Sequence, residues 1–374
     1  MRVLLIVNTS ASFVTARARV VIHKALSADH EVILKETNRR GHATRLAQGA
    51  AADGLDVAVV LGGDGTLNEA ANGLAGSPTA LAVLPGGSTN VFARTLGMAN
   101  DPIEATSQLL SALAAGSVQR VGLGELNGRY FLFHAGMGFD AAVVRRVEEM
   151  AGLKRYFGPA LFIVATLLTW AKGYERHRPA FSLRAGATLV DDAYFSICLN
   201  TDPYTFLGSR PLHIAPETSF ATPLSMVTFE SLSLATMMPM LVTALGEGTG
   251  TARRRHVSLM TGLEGATIKG YGPVPYQLDG DYVGEADHIE LRWAAEALSI
   301  VVPTAAGATI AQKQAGSAVR PVAEAAGTGG TRGTRGTGGV GPPGAAEGTG
   351  EPGAAKAFSS DEAPKLGAPN QKPK

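Results

Sequence analysis

The chain has 374 residues, which is enough for two ordinary domains with buried cores. Its 33 Lys and Arg residues balance 32 Asp and Glu residues, so overall charge does not direct it to nucleic acid, and no nucleic-acid partner is expected. The single cysteine, Cys198, excludes an internal disulfide framework and cysteine clusters of structural zinc sites. Because it lies in the apolar run Tyr194–Leu199, we interpret it as a core thiol.

The apolar segments predict a soluble protein. Met1 to Asn8 lacks the features of a signal peptide, and the longest apolar stretch, Pro159 to Trp170, is shorter than the ~20 residues that span a bilayer. We therefore expect a cytoplasmic protein that is at most peripheral to the inner face of the membrane.

The first third of the chain alternates apolar strands with helical segments. The helix after Asp101 has a capping box with Glu104, Pro102 at its first position and Gly116 at its end. Alternation of this length predicts right-handed crossovers and a Rossmann-like parallel α/β domain over residues 1–121. The other predicted elements are strands Val3–Val7, Glu31–Leu34, Asp56–Leu61 and Ala80–Leu84, and helices Ala16–Leu26, Ala43–Ala52 and Thr66–Leu74.

After Val121 the pattern changes to short strands joined by tight turns. Asn127-Gly128 lies between two apolar runs and predicts a β-hairpin. Helical stretches at Asp140–Met150 and Tyr156–Lys172 interrupt the strands, so we expect a mainly antiparallel β-sandwich domain over residues 122–304. Residues 305–374 are rich in Gly, Thr, Ala and Pro and predict a disordered, low-complexity tail.

Two glycine-rich loops follow successive predicted strands. Gly62-Gly63-Asp64-Gly65-Thr66 opens a helix, and Pro85-Gly86-Gly87-Ser88-Thr89-Asn90 follows the next strand. Backbone N–H groups of such loops approach anions closely, and a helix N-terminus adds its positive end. Because parallel strands end at one edge of a sheet, the two loops predict a nucleotide-phosphate crevice there. A purely structural glycine turn is the alternative for the first loop taken alone.

Asp64 places a carboxylate inside the first loop. It would repel phosphate unless Mg²⁺ lies between them or Asp64 handles a proton. The loop matches neither the dinucleotide pattern GxGxxG nor the Walker pattern GxxxxGK[ST]. Asn68 and Glu69 follow in the first helical turn, from which polar side chains can reach a ligand at the loop.

Four segments, in chain order, carry a resemblance to a known family. They are Gly62–Glu69, Pro85–Asn90, Gly136–Ala141 and Leu278–Asp281. Over roughly residues 1–303 the chain thus resembles the diacylglycerol kinase catalytic family, and within it the soluble bacterial lipid kinases. The first segment is shared with NAD kinases and phosphofructokinases, whereas Asn68-Glu69 and the late Leu-Asp-Gly-acid segment favour the lipid branch.

The resemblance implies an ATP- and Mg²⁺-dependent kinase that phosphorylates a hydroxyl of diacylglycerol or a related lipid at a membrane surface. Asp64 then corresponds to the loop acid associated with Mg²⁺ and phosphate, and Asp281 to the acid taken as general base. Such chemistry needs positioning, charge neutralisation and one proton acceptor. The residues that match family nucleotide contacts are Asn8, Thr9, Ser10, Ala11, Ser12, Thr37, Gly63, Asp64, Gly65, Thr66, Leu67, Asn68, Glu69 and Ser88.

Several positions depart from the family pattern. The loop Asn8–Ser12 lacks the usual Pro and Gly, and Val91 stands where Asp is common. Asp281 replaces the more usual Glu, which leaves Glu285 open as the rival base. Thr222-Pro223 replaces an Asp-Gly that helps to hold a structural Mg²⁺ in relatives, so we expect that metal site to be absent.

Other interpretations stay open at this point. Asp281 also fits a surface hairpin turn, and His134 fits a hydrogen-bonded core or edge residue better than a ligand. The basic groups Arg253–His256 and Lys172–Arg178 fit a solvated face or contact with anionic headgroups, and Phe157–Trp170 fits a core helix or an acyl-chain cleft.

The rival functions are a kinase of a soluble acceptor such as NAD and a non-catalytic lipid- or nucleotide-binding protein. The sequence does not determine the acceptor lipid, the oligomeric state or the role of the tail.

Overall fold

The computed structural model describes residues 1–150, 164–175 and 177–303. The predicted tail over residues 305–374 lies outside the described residues, as does most of the predicted helix Tyr156–Lys172. The helices are α1 (Ala16–Leu26), α2 (His42–Ala52), α3 (Asp64–Leu74), α4 (Val91–Thr95), α5 (Pro102–Ala114), α6 (Phe139–Glu149) and α7 (Leu234–Leu245). Residues 164–168 are also helical and continue into a π-helical turn, Thr169–Gly173.

The strands form two sheets among the described residues. The larger sheet contains every strand except β11 and β12, which pair with each other. The strands are β1 (Arg2–Val7), β2 (Glu31–Glu36), β3 (Val57–Gly62), β4 (Ala80–Pro85), β5 (Val118–Leu126), β6 (Arg129–Phe131), β7 (His134–Gly138), β8 (Phe181–Ala185), β9 (Thr188–Ala193), β10 (Phe195–Leu199), β11 (Thr205–Leu207), β12 (Arg210–Leu212), β13 (Leu224–Phe229), β14 (Val257–Leu263), β15 (Gly265–Leu278) and β16 (Asp281–Val301).

The first four strands form the predicted parallel arrangement. β1 pairs in parallel with β2 and β3, and β3 pairs in parallel with β4, which gives the order β4-β3-β1-β2. β3 and β4 are buried along their whole length, as expected for parallel strands covered by helices on both faces. Asp101 caps α5 by accepting the N–H groups of Ile103 and Glu104. The Rossmann-like α/β part of the predicted fold is confirmed.

Helices α2 and α3 approach each other more closely than most side chains allow. A β-carbon on Gly73 would lie 2.4 Å from the carbonyl oxygen of Thr44 and 2.8 Å from the β-carbon of Ala47. Glycine therefore sets the distance between these helices, and through α3 it fixes the orientation of the first glycine loop.

The strands after β4 pair in antiparallel fashion, apart from the link between β16 and β4. β16 pairs with β15 and β5, and its Ile300 pairs in parallel with Leu81 of β4, so the larger sheet runs through both halves. The hairpin at Asn127-Gly128 is confirmed, and both residues have positive φ, as this turn requires. The mainly antiparallel second half is confirmed. The domain limits 1–121, 122–304 and 305–374 stay a prediction.

The antiparallel strands enclose one apolar core and carry a second on their outer face. β10 alternates between the two: Cys198 points into the enclosed core with Met137 and Met226, whereas Phe195 and Ile197 face α6 and α7. Cys198 is a buried core thiol, as predicted, and burial raises its pKa above the ordinary range.

Candidate active site

A cavity of about 1010 Å³ opens where β1, β2, β3 and β4 end. Its walls come from the loops after these strands and from α6, the β11–β12 hairpin and the turn between β15 and β16. The predicted site residues that line it are Asn8, Ser10, Ala11, Ser12, Thr37, Gly63, Asp64, Gly65, Thr66, Glu69, Ser88 and Asp281. The cavity brings together residues that are far apart in the sequence, at the sheet edge expected for a ligand.

Three predicted nucleotide contacts do not line this cavity. Thr9 is exposed outside it, and the side chain of Leu67 is 1% exposed within the core. Asn68 is likewise 1% exposed and turned toward the second half of the chain. The structure thus places Leu67 and Asn68 in supporting positions behind the loop, because both occupy the buried face of α3.

The loop Asn8–Ser12, which follows β1, is tied to the first glycine loop by Asn8. Its Nδ2 donates to Oγ1 of Thr66 over 2.8 Å, and its Oδ1 accepts the N–H of Ser10 over 3.0 Å. Although Asn8–Ser12 departs from the family pattern, the loop still lies on the cavity wall beside Thr66.

The two glycine loops pack backbone against backbone. A β-carbon on Gly87 would lie 2.8 Å from the Cα of Gly63, so glycine is required for this approach. Asn90 stabilises the second loop: it has φ of 50° and its Oδ1 accepts the N–H of Gly87 over 2.8 Å.

Asp64 links the two loops. Its Oδ2 accepts the N–H of Val91 over 3.0 Å and its Oδ1 that of Phe92 over 3.2 Å, at the start of α4. Burial raises the pKa of Asp64 to about 6, against the lowering effect of these two N–H groups, and the nearby Asp281 raises it further. The carboxylate therefore has a structural partner that the sequence did not reveal. Each of its oxygens still keeps a lone pair that can bind a ligand.

Asp281 reaches the first glycine loop from the turn between β15 and β16. Its Oδ2 lies 2.6 Å from the position that a β-carbon on Gly65 would occupy. Its Oδ1 is 3.5 Å from the guanidinium of Arg40, which is also 3.5 Å from Glu148. The rival acid Glu285 instead pairs with Arg145 over 2.9 Å and is not among the residues that line the cavity.

Asp279, two residues before Asp281, anchors this turn. It is 4% exposed, and its carboxylate accepts the backbone N–H groups of Leu132, Phe133 and His134. Nδ2 of Asn68 donates to the same carboxylate over 2.8 Å. Burial raises the pKa of Asp279 to about 7, although these donors lower it.

Glu69 holds the neighbouring helix. Its Oε1 accepts the N–H of Gly41 over 2.7 Å and its Oε2 that of Ala43 over 3.1 Å. These N–H groups lie at the N-terminus of α2, whose cap residue Gly41 has no side chain to accept them. Asn68 thus connects α3 to Asp279 in the second half of the chain, and Glu69 connects α3 to α2. Glu69 also lines the cavity.

The third motif, Gly136–Ala141, supports the same turn through a buried polar chain. Asp140 accepts from the hydroxyl of Tyr204 over 2.5 Å and from Nε2 of Gln277 over 2.8 Å, and Oε1 of Gln277 accepts the N–H of Gly280 over 2.8 Å. A β-carbon on Gly136 would lie 1.7 Å from Oδ2 of Asp140. Glycine at this position leaves the space that the carboxylate needs.

The wall contributed by the second half is largely apolar. Phe133, Val144, Val147, Phe206, Leu207 and Leu212 line it, together with His134 and Tyr204. The ring of His134 lies between those of Phe133 and Tyr204, with centroid distances of 5.0 and 4.6 Å.

Nδ1 of His134 is buried without a hydrogen-bond partner in the described part of the chain, and burial lowers the pKa of the imidazole to about 3. His134 is buried as predicted, and its backbone N–H donates a hydrogen bond to Asp279. The described part of Phe157–Trp170, residues 164–170, does not contribute to this wall.

The donor set suits a metal that is shared with phosphate. Among the described residues, no group of three His, Cys, Asp or Glu side chains could form a metal cage. Mg²⁺ in phosphoryl-transfer enzymes is commonly held by one or two carboxylates together with substrate phosphates, and Asp64 on the glycine loop can supply one. Thr222, at the position predicted to lack the structural metal site, bonds the backbone of Ser219 through its hydroxyl, and the absence of that site stays a prediction.

Several residues of the site were not singled out from the sequence. Arg39, Arg40 and Arg94 supply its positive charge, Glu148 adds a carboxylate, and Tyr204 and Asp279 position its walls. The three arginines belong to no sequence motif. For Asp279, the only signal in the sequence was its place in the segment Leu278–Asp281.

Comparison with known proteins agrees with these motifs. Residues 2–125 match the family model described as diacylglycerol kinase catalytic domain. A diacylglycerol kinase of Bacillus subtilis is 39% identical over 198 residues, which cover 44% of this chain and 64% of that protein. A diacylglycerol kinase of Staphylococcus aureus is 34% identical over 154 residues, 41% of this chain and 45% of that protein. The chain thus spans between about half and two thirds of the curated relatives it matches.

The fold also has a solved counterpart. A crystal structure of a diacylglycerol kinase from Bacillus anthracis superposes with a TM-score of 0.65 at 23% identity, over 81% of this chain and 98% of that one. At 23% identity, this superposition shows that the two proteins share a fold. The resemblance of this chain to the diacylglycerol kinase catalytic family is therefore confirmed, and residues 2–125 are the segment that matches the family's catalytic-domain model.

Proposed function

We propose that the protein is an ATP-dependent lipid kinase that phosphorylates a hydroxyl of diacylglycerol or a related lipid. The observation that carries the proposal is the single cavity in which the glycine loops, Asp281 and an apolar wall meet. Relatives described as diacylglycerol kinases support the same reading.

ATP would occupy the polar end of the cavity. The loops at Asn8–Ser12 and Gly63–Thr66, with Thr37 and Ser88, offer backbone N–H and hydroxyl donors to its phosphates. Arg39 and Arg40 line the same end and add positive charge for a polyanion. Leu67 and Asn68 serve the site indirectly by holding the loop.

Asp281 is proposed as the general base. The acceptor hydroxyl oxygen forms a bond to the γ-phosphorus, the bond from that phosphorus to the β–γ bridging oxygen breaks, and the hydroxyl proton passes to the Asp281 carboxylate. Its place against Gly65 favours Asp281 over Glu285, whose carboxylate pairs with Arg145 outside the cavity.

Mg²⁺ fits this arrangement through Asp64. The Asp64 carboxylate would hold the metal together with the phosphates of ATP, and the metal would supply charge neutralisation on the transferring group. The two N–H groups of α4 orient the carboxylate for this task and lower its pKa against the larger raising effect of burial.

The acceptor would approach from the apolar wall. Val144, Val147, Phe206 and Leu212 can contact acyl chains, and His134 offers a neutral ring as hydrogen-bond partner for a headgroup atom. Arg253 and Arg255 are exposed and could contact anionic headgroups at the cytoplasmic face of a membrane. In the other predicted basic group, Lys172–Arg178, the side chains of Lys172 and Arg176 lie outside the described residues, and exposed Arg178 is 3.5 Å from Glu175.

Transfer of label from radiolabelled ATP tests the proposal. With Mg²⁺ and vesicles containing diacylglycerol, we expect a labelled phospholipid whose mass is that of phosphatidate, formed at least about 10²-fold more slowly by Asp281→Asn. Label on NAD in place of lipid would identify a kinase of a soluble acceptor. Nucleotide binding without transfer to any acceptor would identify a binding protein, and either result would contradict the proposal.

A further inference from the structure

Helix α7 presents an apolar stripe to solvent. The segment Leu234–Leu245 contains no charged residue. Its exposed side chains recur at helical spacing and therefore lie on one face, and Val242 is 65% exposed. The outward face of a helix in a soluble domain is ordinarily polar, so a wholly apolar one indicates a contact surface. The exposed large side chains are Leu234, Met238, Leu241, Val242 and Leu245.

A second apolar stripe lies beside the first. Residues 164–168 expose Val164, Leu167 and Leu168, and this segment is fixed to the start of α7 because Nε1 of Trp170 donates to the carbonyl of Leu232 over 2.8 Å. The buried sides of both segments share one core cluster. We name these eight exposed side chains, five from α7 and three from residues 164–168, the α7 face.

Positive charge lies in the segment that follows α7, and this segment contacts the helix from its buried side. Arg253 and Arg255 are exposed, and Nε of Arg254 donates to Oγ1 of Thr243 on α7 over 2.9 Å, which fixes this arginine run beside the helix. Glu247, in the connecting loop, is the one acid between α7 and the arginines. An exposed apolar helix face followed by exposed arginines complements an anionic lipid bilayer.

The same core layer separates the α7 face from the cavity. Val147, Tyr204 and Leu212 line the apolar wall of the cavity and pack against the cluster that contains Met240 and Ala244 of α7. A bilayer in contact with the α7 face would therefore be separated from the apolar wall of the cavity by this one core layer.

We propose that the α7 face is the membrane-docking surface of this protein. Its apolar side chains enter the boundary between headgroups and acyl chains, and Arg253 to Arg255 contact anionic headgroups. The inference depends on the proposed function only where it concerns lipid that enters the cavity from the bilayer. The docking itself does not depend on it, because binding to vesicles requires no catalysis.

Flotation of the full chain with vesicles tests the surface. The vesicles contain phosphatidylcholine alone or with phosphatidylglycerol, and the variants are Leu241→Gln with Val242→Gln, and Arg253→Gln with Arg255→Gln. Val20→Gln with Val21→Gln on α1 is the matched control, because these valines are also exposed. All positions are at the surface, and thermal melting verifies that each variant folds.

We expect wild-type protein and the α1 control to bind anionic vesicles alike. The Leu241/Val242 variant should bind them at least about tenfold more weakly because apolar insertion is lost. The Arg253/Arg255 variant should lose the preference for phosphatidylglycerol. Unchanged flotation of the Leu241/Val242 variant would overturn the inference, and so would a wild-type dimer that this variant dissociates without a change in vesicle binding.

Kinase assays separate this inference from the proposed function. The Leu241/Val242 variant should phosphorylate a water-soluble short-chain diacylglycerol at the wild-type rate and vesicle-borne diacylglycerol more slowly. If no lipid is phosphorylated but the flotation pattern holds, the proposed function fails and the docking surface stands. If lipid is phosphorylated but the variant binds vesicles normally, the docking surface fails and the function stands.

Discussion

Nδ2 of Asn68 donates to Oδ2 of Asp279 over 2.8 Å, which joins residues 211 positions apart in the chain. Nδ2 also donates to the carbonyl of Tyr130, and Oδ1 accepts from Arg129. Since Asp279 precedes the proposed base by two residues, this bond connects the glycine-loop helix with the turn that carries Asp281.

Replacement of Asn68 by Ala should destabilise the fold. It leaves the Asp279 carboxylate without one buried donor, and we expect a loss of about 1–3 kcal/mol in the free energy of unfolding. Urea titration measures it, with Ser107→Ala as the control, because Ser107 is exposed on α5 and should change stability by less than about 0.5 kcal/mol. Equal stability of wild type and Asn68→Ala would show that the bond contributes nothing.

Asp279 should make stability depend on pH. Burial raises its pKa from 3.8 to about 7, so the folded chain binds more protons than the unfolded chain between these values. The contribution of Asp279 to stability is therefore present below pH 3.8 and is lost as pH rises to about 7. Asp279→Asn has no such titration, so the stability difference between wild type and variant should shrink with rising pH. A difference that grows over this range would contradict the burial of an ionisable Asp279.

Gly65→Ala should separate stability from activity. Alanine is the better helix former, so we expect stability to be unchanged or higher by up to about 1 kcal/mol. The new methyl group would displace the Asp281 carboxylate, which lies 2.6 Å from its position, and we expect kcat to fall by ~10²-fold. Gly49→Ala on α2 is the control, because Gly49 does not line the cavity and its methyl group would have no neighbour within 4 Å. Equal activity of the two variants would place Asp281 outside the reaction.

His134→Phe should affect the lipid acceptor alone. Phenylalanine fills a similar volume and removes a buried nitrogen that has no partner among the described residues, so stability should not fall. If the ring bonds the acceptor, the KM for lipid should rise about tenfold, the equivalent of roughly 1.4 kcal/mol, while the KM for ATP stays constant. A parallel rise in both constants would indicate a general distortion of the cavity.

Much of the fold was predictable because its signals are local. Apolar strands, Asp101 with Pro102, and the Asn127-Gly128 turn each specify structure within a few residues. The glycine loops and Asp281 were found as candidates through motifs, and the cavity now brings them together.

The roles of individual polar residues were less accessible. Asn68 looked like a ligand contact from its spacing, but its side chain lies on the buried face of α3 and bonds Asp279. The two bonds that Asp64 accepts from α4 were not visible in the sequence. These contacts depend on the packing of distant segments, which a single sequence does not specify. The exposed stripe of α7 likewise became visible only once the neighbours of that helix were known.

The most direct test compares Asp281→Asn with Glu285→Gln in the transfer of label from ATP to diacylglycerol. We predict that wild type and Glu285→Gln form labelled phosphatidate at similar rates, whereas Asp281→Asn binds nucleotide normally and loses about 10²–10⁴-fold in kcat. Transfer at the wild-type rate by Asp281→Asn, or no labelled lipid with wild-type protein, would contradict the proposed kinase.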